Sequence, residues 1–93
     1  MKILNNGETI ELKSFPPYYV AERQGKKTNT VRAFKPGYER DEFISSIFDL
    51  KYVQISNPSN DMSFTRTITN ISMLTVEGVE IYIISWKHEE NTT

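Results

Sequence analysis

The sequence predicts an α+β protein built on a small, mostly antiparallel β-barrel with two short helices. Five or six short segments carry the alternating or β-branched residues typical of strands, and two segments space apolar side chains as a helix does. The last strand is predicted over residues 79–87, where apolar side chains occur on both faces. Burial of both faces is expected for a strand in a closed or nearly closed barrel, so closure is part of the prediction.

The chain begins with a predicted hairpin. Asn-Asn-Gly at residues 5–7 separates two short apolar segments, and these residue types tolerate the positive φ of a tight turn. In the second arm, Ile10 and Leu12 alternate with charged residues, which predicts a strand with one solvated face. Ser14 is a candidate helix cap, followed by two prolines that fit a first helical turn.

A short helix is then predicted over residues 17–24. It should end at Gly25, because glycine accepts the left-handed backbone that often follows a helix. The next residues are rich in threonine, which favours a strand. Side chains alternate along a strand, so Thr28, Thr30 and Arg32 are predicted to share one face.

A second helix is predicted from an N-cap at Asp41 to about Leu50. Its apolar side should pack on one end of the sheet. The residues of that side are Phe43, Ile44, Ile47 and Phe48.

Further strands are predicted over residues 51–56, 62–73 and 79–87. Residues 1–88 are interpreted as a single domain, since 93 residues suffice for one core, and residues 89–93 as a polar C-terminal tail.

Composition excludes several classes of function. The chain has no cysteine, so it cannot form a disulfide or a thiolate metal site. Its lone histidine, His88, lies at a polar terminus, so we expect neither a Ser-His-Asp relay nor a histidine-based metal site. Its four glycines form no glycine-rich phosphate loop, and we expect no cofactor and no metal. No apolar run approaches the roughly 20 residues of a membrane span, and no signal-peptide pattern opens the chain. We therefore expect a cytoplasmic protein without a membrane partner.

The net charge of -1 hides a basic segment at residues 23–40. This segment contains a single acid, Glu39. Its basic residues are Arg23, Lys26, Lys27, Arg32, Lys35 and Arg40. Such a segment can attract an anion, although charge clusters are more often simply solvated surface.

Within the basic segment, Gly25, Lys27 and Arg32 fit the pattern Gly-x-Lys-x-x-x-x-Arg. The pattern resembles the signature of ASCH domains, which belong to the PUA-like superfamily. Residues 11–19 are also similar to the strand, proline and aromatic helix that precede this signature in small bacterial and phage ASCH-like proteins. The resemblance covers residues 10–34, and beyond them it rests on strand order.

The resemblance implies a PUA-like β-barrel with a cleft that binds RNA or a nucleotide-derived ligand. Basic groups would hold a phosphate or a base edge, while an aromatic ring stacks on a base. The predicted ligand-binding residues are Tyr18, Lys26, Lys27, Thr28, Thr30 and Arg32.

Two alternatives to simple binding remain. Some small ASCH proteins are similar to amidohydrolases that remove the acetyl group of N4-acetylcytidine with a lysine, a threonine and a glutamate. Lys27 and Thr30 match the first two positions, and the late carboxylates Glu77 and Glu80 are the candidates for the third. A threonine hydroxyl needs a base to take its proton before it can act as a nucleophile. Lys27 could be that base if desolvation or the neighbouring cations Lys26 and Arg32 depress its pKa toward neutrality. The other alternative is that the chain is an interaction module that binds a protein partner, and that its signature cleft is vestigial.

The sequence leaves the oligomeric state open.

Overall fold

A computed structural model describes residues 1–89 and shows one mixed six-stranded sheet with two short helices. In chain order the elements are β1 (Lys2–Leu4), β2 (Thr9–Lys13), α1 (Tyr18–Arg23), β3 (Asn29–Phe34), α2 (Tyr38–Ser46), β4 (Tyr52–Asn57), β5 (Met62–Val76) and β6 (Val79–Trp86). The predicted α+β class is confirmed. Neither helix of the described residues is long and apolar enough to cross a bilayer.

The predicted barrel closure is wrong, because the sheet stays open. The strand order is β1-β2-β4-β5-β6-β3, and the pair β2–β4 is parallel whereas the other pairs are antiparallel. β5 is 15 residues long; its first part pairs with β4 and its second with β6, with a register shift between Ile68 and Asn70. A bulge bends a strand. The sheet therefore bends, but its two edge strands, β1 and β3, do not pair with each other.

The predicted N-terminal hairpin is confirmed. Asn5, Asn6 and Gly7 have φ values of 54°, 57° and 90°, so the turn uses the left-handed region that these residue types tolerate. β1 and β2 pair across it in antiparallel register, with Ile3 opposite Ile10.

Helix α1 matches its prediction within about one residue at each end. Its N-cap is Pro17, which makes no side-chain cap bond, so Ser14 does not cap the helix. The backbone N–H of Ser14 instead donates to the carbonyl of Ser56, which continues the β2–β4 pairing. Gly25 follows the helix with φ of 82°, as predicted.

Helix α2 begins and ends earlier than predicted. Its N-cap is Gly37, and Asp41 lies in its first turn. Phe43 is fully buried, but Phe48 is 99% exposed. The helix ends at Ser46, so the helical spacing that would have turned Phe48 toward the sheet no longer applies.

The apolar core joins the sheet to both helices. Strands β2 to β6 contribute side chains, together with Tyr19 of α1 and Phe43 of α2. Phe43 packs against Phe34 and Tyr82, with ring centroids 5.1 and 4.8 Å away. Trp86 of β6 is also buried. The neighbouring face of β6 is only partly buried, which differs from the expectation of two buried faces and agrees with an open sheet.

The predicted polar tail falls almost wholly outside the described residues. Residues 90–93 lie beyond them. Glu89 is described, and its Oε1 accepts a hydrogen bond of 3.0 Å from the Thr67 hydroxyl.

A charged cluster joins α2 to β6. Arg40 Nε and Nη2 each donate to the Glu80 carboxylate at 2.9 Å, and the Tyr82 hydroxyl donates to Glu80 Oε1 at 2.8 Å. The Arg40 and Tyr82 hydrogen bonds lower the pKa of Glu80 to about 2. Burial raises the pKa of Tyr82, and its bond to Glu80 acts in the same direction.

We predict that the Glu80 cluster makes the fold sensitive to acid. The pKa of Glu80 is depressed from an ordinary 4.5 to about 2, so its stabilising effect is complete above pH 4.5 and is lost as the pH falls toward about 2. Glu80→Gln should lower the free energy of unfolding at neutral pH and flatten its pH dependence in that window.

Denaturant unfolding at several pH values measures both effects. Glu77→Gln is the control, because Glu77 is exposed in the β5–β6 turn and makes no ion pair within residues 1–89. Parallel pH profiles for the parent and Glu80→Gln would contradict the prediction.

Candidate functional site

A cleft of about 430 Å³ lies in the gap between the end of β2, the following loop, α1 and β3. This volume is within the range of roughly 300–1,000 Å³ typical of small-molecule sites. Lys27, Thr30 and Arg32 line the cleft, and so does Tyr18. Four of the six predicted ligand-binding residues therefore meet at one cavity.

Arg32 bridges the two sides of the gap. Its Nη2 donates a 2.8 Å hydrogen bond to the carbonyl oxygen of Lys13 at the end of β2. Its Nε donates at 3.0 Å to Oγ1 of Thr30, on the same face of β3. Burial lowers the pKa of Arg32, while the negative charge of Glu22 acts in the opposite direction. The guanidinium is therefore held in a partly desolvated place, where its charge acts more strongly on a ligand.

Lys27 forms an ion pair with a buried acid. Its Nζ donates to Glu22 Oε2 at 2.9 Å and to the carbonyl oxygen of Asn29 at 2.6 Å. The Glu22 side chain is only 1% exposed, and burying a carboxylate is costly unless a cation and hydrogen bonds compensate it. In these contacts Lys27 serves as a hydrogen-bond donor, so the arrangement does not give it the role of a base.

Glu22 also presents an unused acceptor. Its Oε1 is buried and has no hydrogen-bond partner within residues 1–89, although Glu22 lines the cleft. Buried carboxylate oxygens are normally hydrogen-bonded, so Oε1 is an acceptor that the described residues leave unsatisfied beside the cleft.

The walls of the cleft are apolar. Phe15 and Tyr18 are each 61% exposed, and Val31 is 57% exposed. Lys27 Nζ lies 5.9 Å from the centre of the Tyr18 ring, within the range of a cation–π contact. A planar ligand could therefore lie against the Tyr18 ring above a charged floor.

Two predicted site residues lie outside the cleft. Lys26 is exposed in the turn after α1 and does not line the cavity. Thr28 precedes β3, and its carbonyl oxygen accepts the backbone N–H of Trp86 at 3.0 Å. Because the backbone turns between α1 and β3, the side chains of Lys26 and Thr28 do not reach the cleft that Lys27 lines.

The acid of the cleft is Glu22, whereas the sequence suggested Glu77 and Glu80. Glu80 binds Arg40, and Glu77 has φ of 51° in the tight β5–β6 turn. Glu22 follows Tyr18 by four residues on α1, a spacing that places two side chains on the same helix face. That spacing was the signal that could have identified it.

Searches of protein-family models, curated proteins and solved structures gave no match to this chain. Among residues 1–89, no group of three or more His, Asp or Glu side chains is placed to hold a metal ion.

We predict that Gly25, the first residue of the signature, cannot be replaced without a loss of stability. Its φ is positive, and the His88 ring lies where a side chain would begin. An added Cβ would lie 2.7 Å from the His88 ring, and φ of 82° costs a side-chain-bearing residue about 1–2 kcal/mol. Gly25→Ala should lower the free energy of unfolding by at least that amount. Chemical denaturation measures the loss.

Gly7→Ala is the matched control, because Gly7 has a φ of 90° but no atom within 4 Å of its added Cβ. Gly25→Ala should cost more than Gly7→Ala, and the excess should disappear in a His88→Ala background. Equal losses at the two glycines would show that the His88 contact is unimportant.

Proposed function

We propose that the cleft binds a nucleobase, presented by RNA or by a free nucleotide. One observation carries the proposal: Lys27, Thr30, Arg32 and a buried carboxylate line a single cavity beside an exposed tyrosine ring. Aromatic stacking combined with a few convergent polar groups is a common way to bind an unpaired base.

The signature also supports a finer assignment of the fold. We infer that the chain is a PUA-like, ASCH-type domain whose barrel is incomplete. The support is the position of the Gly-x-Lys-x-x-x-x-Arg pattern, which turns from α1 into β3 at the edge of a ligand-sized cleft.

The floor of the cleft favours bases that carry an amino group. Glu22 Oε1 is an acceptor without a donor, and a carboxylate accepts well from the exocyclic amino group of cytosine. Uracil carries a carbonyl oxygen at the same position and would place it against the carboxylate. We therefore propose that cytidine binds more tightly than uridine.

The stacking role of Tyr18 gives the first test. Tyr18→Leu should weaken cytidine binding by about tenfold, because stacking on an aromatic ring contributes about 1–3 kcal/mol per base. Tyr38→Leu is the control, since Tyr38 is 81% exposed and does not line the cleft. Titration followed by NMR gives the affinities.

A second test measures how Glu22 affects the preference for cytidine over uridine. Glu22→Gln should reduce the preference for cytidine over uridine, since an amide can offer a donor as well as an acceptor. Thermal unfolding checks that the variant folds without the Lys27 ion pair. If neither nucleoside binds the parent protein, the base-binding proposal fails and an interaction module becomes the better account.

A second candidate function is hydrolysis of an amide on an acylated cytidine. The observation that favours it is the carboxylate of Glu22 beside Lys27, in the cleft that Thr30 also lines. Glu22 thus supplies a glutamate in addition to Lys27 and Thr30. Glu22 comes before the signature, whereas the resemblance places the glutamate after it.

In this reaction Glu22 Oε1 takes the proton of the Thr30 hydroxyl as Oγ1 attacks the acyl carbon. Lys27 and Arg32 stabilise the negative oxygen that forms. The C–N bond then breaks, the amine leaves with the proton, and water hydrolyses the Thr30 ester to release the acid.

Incubation with N4-acetylcytidine tests hydrolysis through the release of acetate. Thr30→Val and Glu22→Gln should each reduce turnover by about 10²-fold or more, because each removes a group that moves in the reaction. Thr28→Val is the matched control, since it makes the same change outside the cleft. No turnover by the parent at high protein concentration would reject this candidate and leave base binding intact.

A further inference from the structure

One face of strands β3, β6 and β5 carries apolar side chains and no charge. Strand register places Ala33, Ile81 and Leu74 in one row across the three strands, so their side chains point to the same side of the sheet. Alternation along each strand adds every second residue to this outer face. Its apolar residues are Val31, Ala33, Leu74, Val76, Val79, Ile81 and Ile83, and the other residues that β3, β6 and residues 70–76 of β5 contribute to it are asparagine or serine.

The apolar core does not use the outer face. Helix α2 packs on the opposite side of the sheet, where Phe43 contacts Phe34 and Tyr82. Among residues 1–89, neither the core cluster nor the partly buried side chains packed against it include any residue of the outer face. Leu74 is 42% exposed and Val76 is 47% exposed. The structure therefore leaves a contiguous apolar surface of three strands open to solvent.

This surface differs from the usual solvated face of an antiparallel sheet, which carries polar residues. Strand β2 of the same chain follows the usual pattern, because Glu11 and Lys13 alternate with Ile10 and Leu12. Strand β6 instead has apolar side chains on both faces, as a strand covered on both sides does. Contiguous exposed apolar surface of this kind marks a site of contact with another protein.

The charges around the outer face fit a second copy of this chain. Glu77 lies in the turn at one end of β6, and Lys87 follows the strand at its other end. Both are exposed, and neither forms an ion pair within residues 1–89. When two outer faces stack with antiparallel strands, Glu77 of each copy lies near Lys87 of the other. Parallel stacking would bring like charges together, so the charges favour the antiparallel arrangement.

The outer face is large enough for a modest dimer interface. Strand β6 has eight residues, so at about 3.3 Å per residue and about 4.8 Å between strands the face measures about 26 Å by about 14 Å. Projecting side chains enlarge this footprint, and two stacked faces bury an area on the order of 1,000 Å², near the lower limit for a specific interface. The formal net charge of -1 causes little repulsion between two copies. We therefore expect a dimer that dissociates on dilution.

We propose that the outer face is a homodimer interface, in which two copies stack these three strands face to face about a two-fold axis, with antiparallel strands. A two-fold interface uses the same patch on both copies, so an uncharged apolar face meets another. The side chains of two stacked sheets interdigitate to form a core between them. This interface is independent of base binding, because Tyr18, Glu22 and Lys27 of the cleft lie outside the outer face.

Sedimentation equilibrium of the full chain over a range of concentrations tests the dimer. The parent should associate, and Leu74→Lys should weaken association by about a hundredfold or more, because each copy then places an unpaired ammonium group in an apolar interface. Met73→Lys is the matched control, since Met73 is the preceding residue of β5, points to the opposite side of the sheet and is 55% exposed. It adds the same charge and should leave association unchanged.

A charge exchange tests the orientation. Glu77→Lys and Lys87→Glu should each weaken association by about two- to fivefold, the effect of an exposed ion pair, and the double variant should recover the parent affinity. Failure of the double variant to recover would overturn the antiparallel arrangement.

Two results would overturn the homodimer itself. One is a parent chain that stays monomeric at millimolar concentration, which would leave the outer face to a different partner. The other is an equal loss of association in Leu74→Lys and Met73→Lys, which would place the contact elsewhere. Thermal unfolding checks that both variants fold. Cytidine binding by Leu74→Lys should match that of the parent, so failure of base binding remains separately visible.

Discussion

The ion pair between the buried Glu22 and the half-buried Lys27 is the interaction on which the candidate site depends. Lys27 Nζ binds a carboxylate of α1 and a carbonyl oxygen at the start of β3, so one ammonium group joins the helix to the strand. Without this cation, Glu22 would be a buried charge without compensation, which proteins tolerate poorly. Gly25 makes the contact possible, because its left-handed backbone turns the chain between the two elements.

The open sheet is the second condition for the site. In a closed barrel, backbone hydrogen bonds would join the edge strands and fill the space between them. Here β3 pairs with β6 on one side, and across the gap the Arg32 side chain reaches the carbonyl oxygen at the end of β2. The cleft lies between the end of β2 and β3, where no strand pairing closes the sheet.

Helix α1 separates two chemically different cavities. The first combines a carboxylate, a lysine, an arginine and aromatic walls, which suits a ligand with both donors and apolar surface. The second presents arginines and amide donors without a carboxylate in its described lining. Pro16 lines both cavities, so they adjoin at the N-terminal end of the helix.

The sequence by itself determined what local backbone preferences and side-chain alternation control. It placed the Asn-Asn-Gly hairpin, the end of α1 at Gly25 and most strand positions, and it brought Thr30 and Arg32 to one face of β3. Only the tertiary structure decided that Glu22 is the carboxylate of the cleft, that Phe48 faces solvent and that the sheet stays open. These outcomes depend on which face of a short helix is buried and on how distant strands approach each other. The spacing of neighbouring residues says little about such long-range packing.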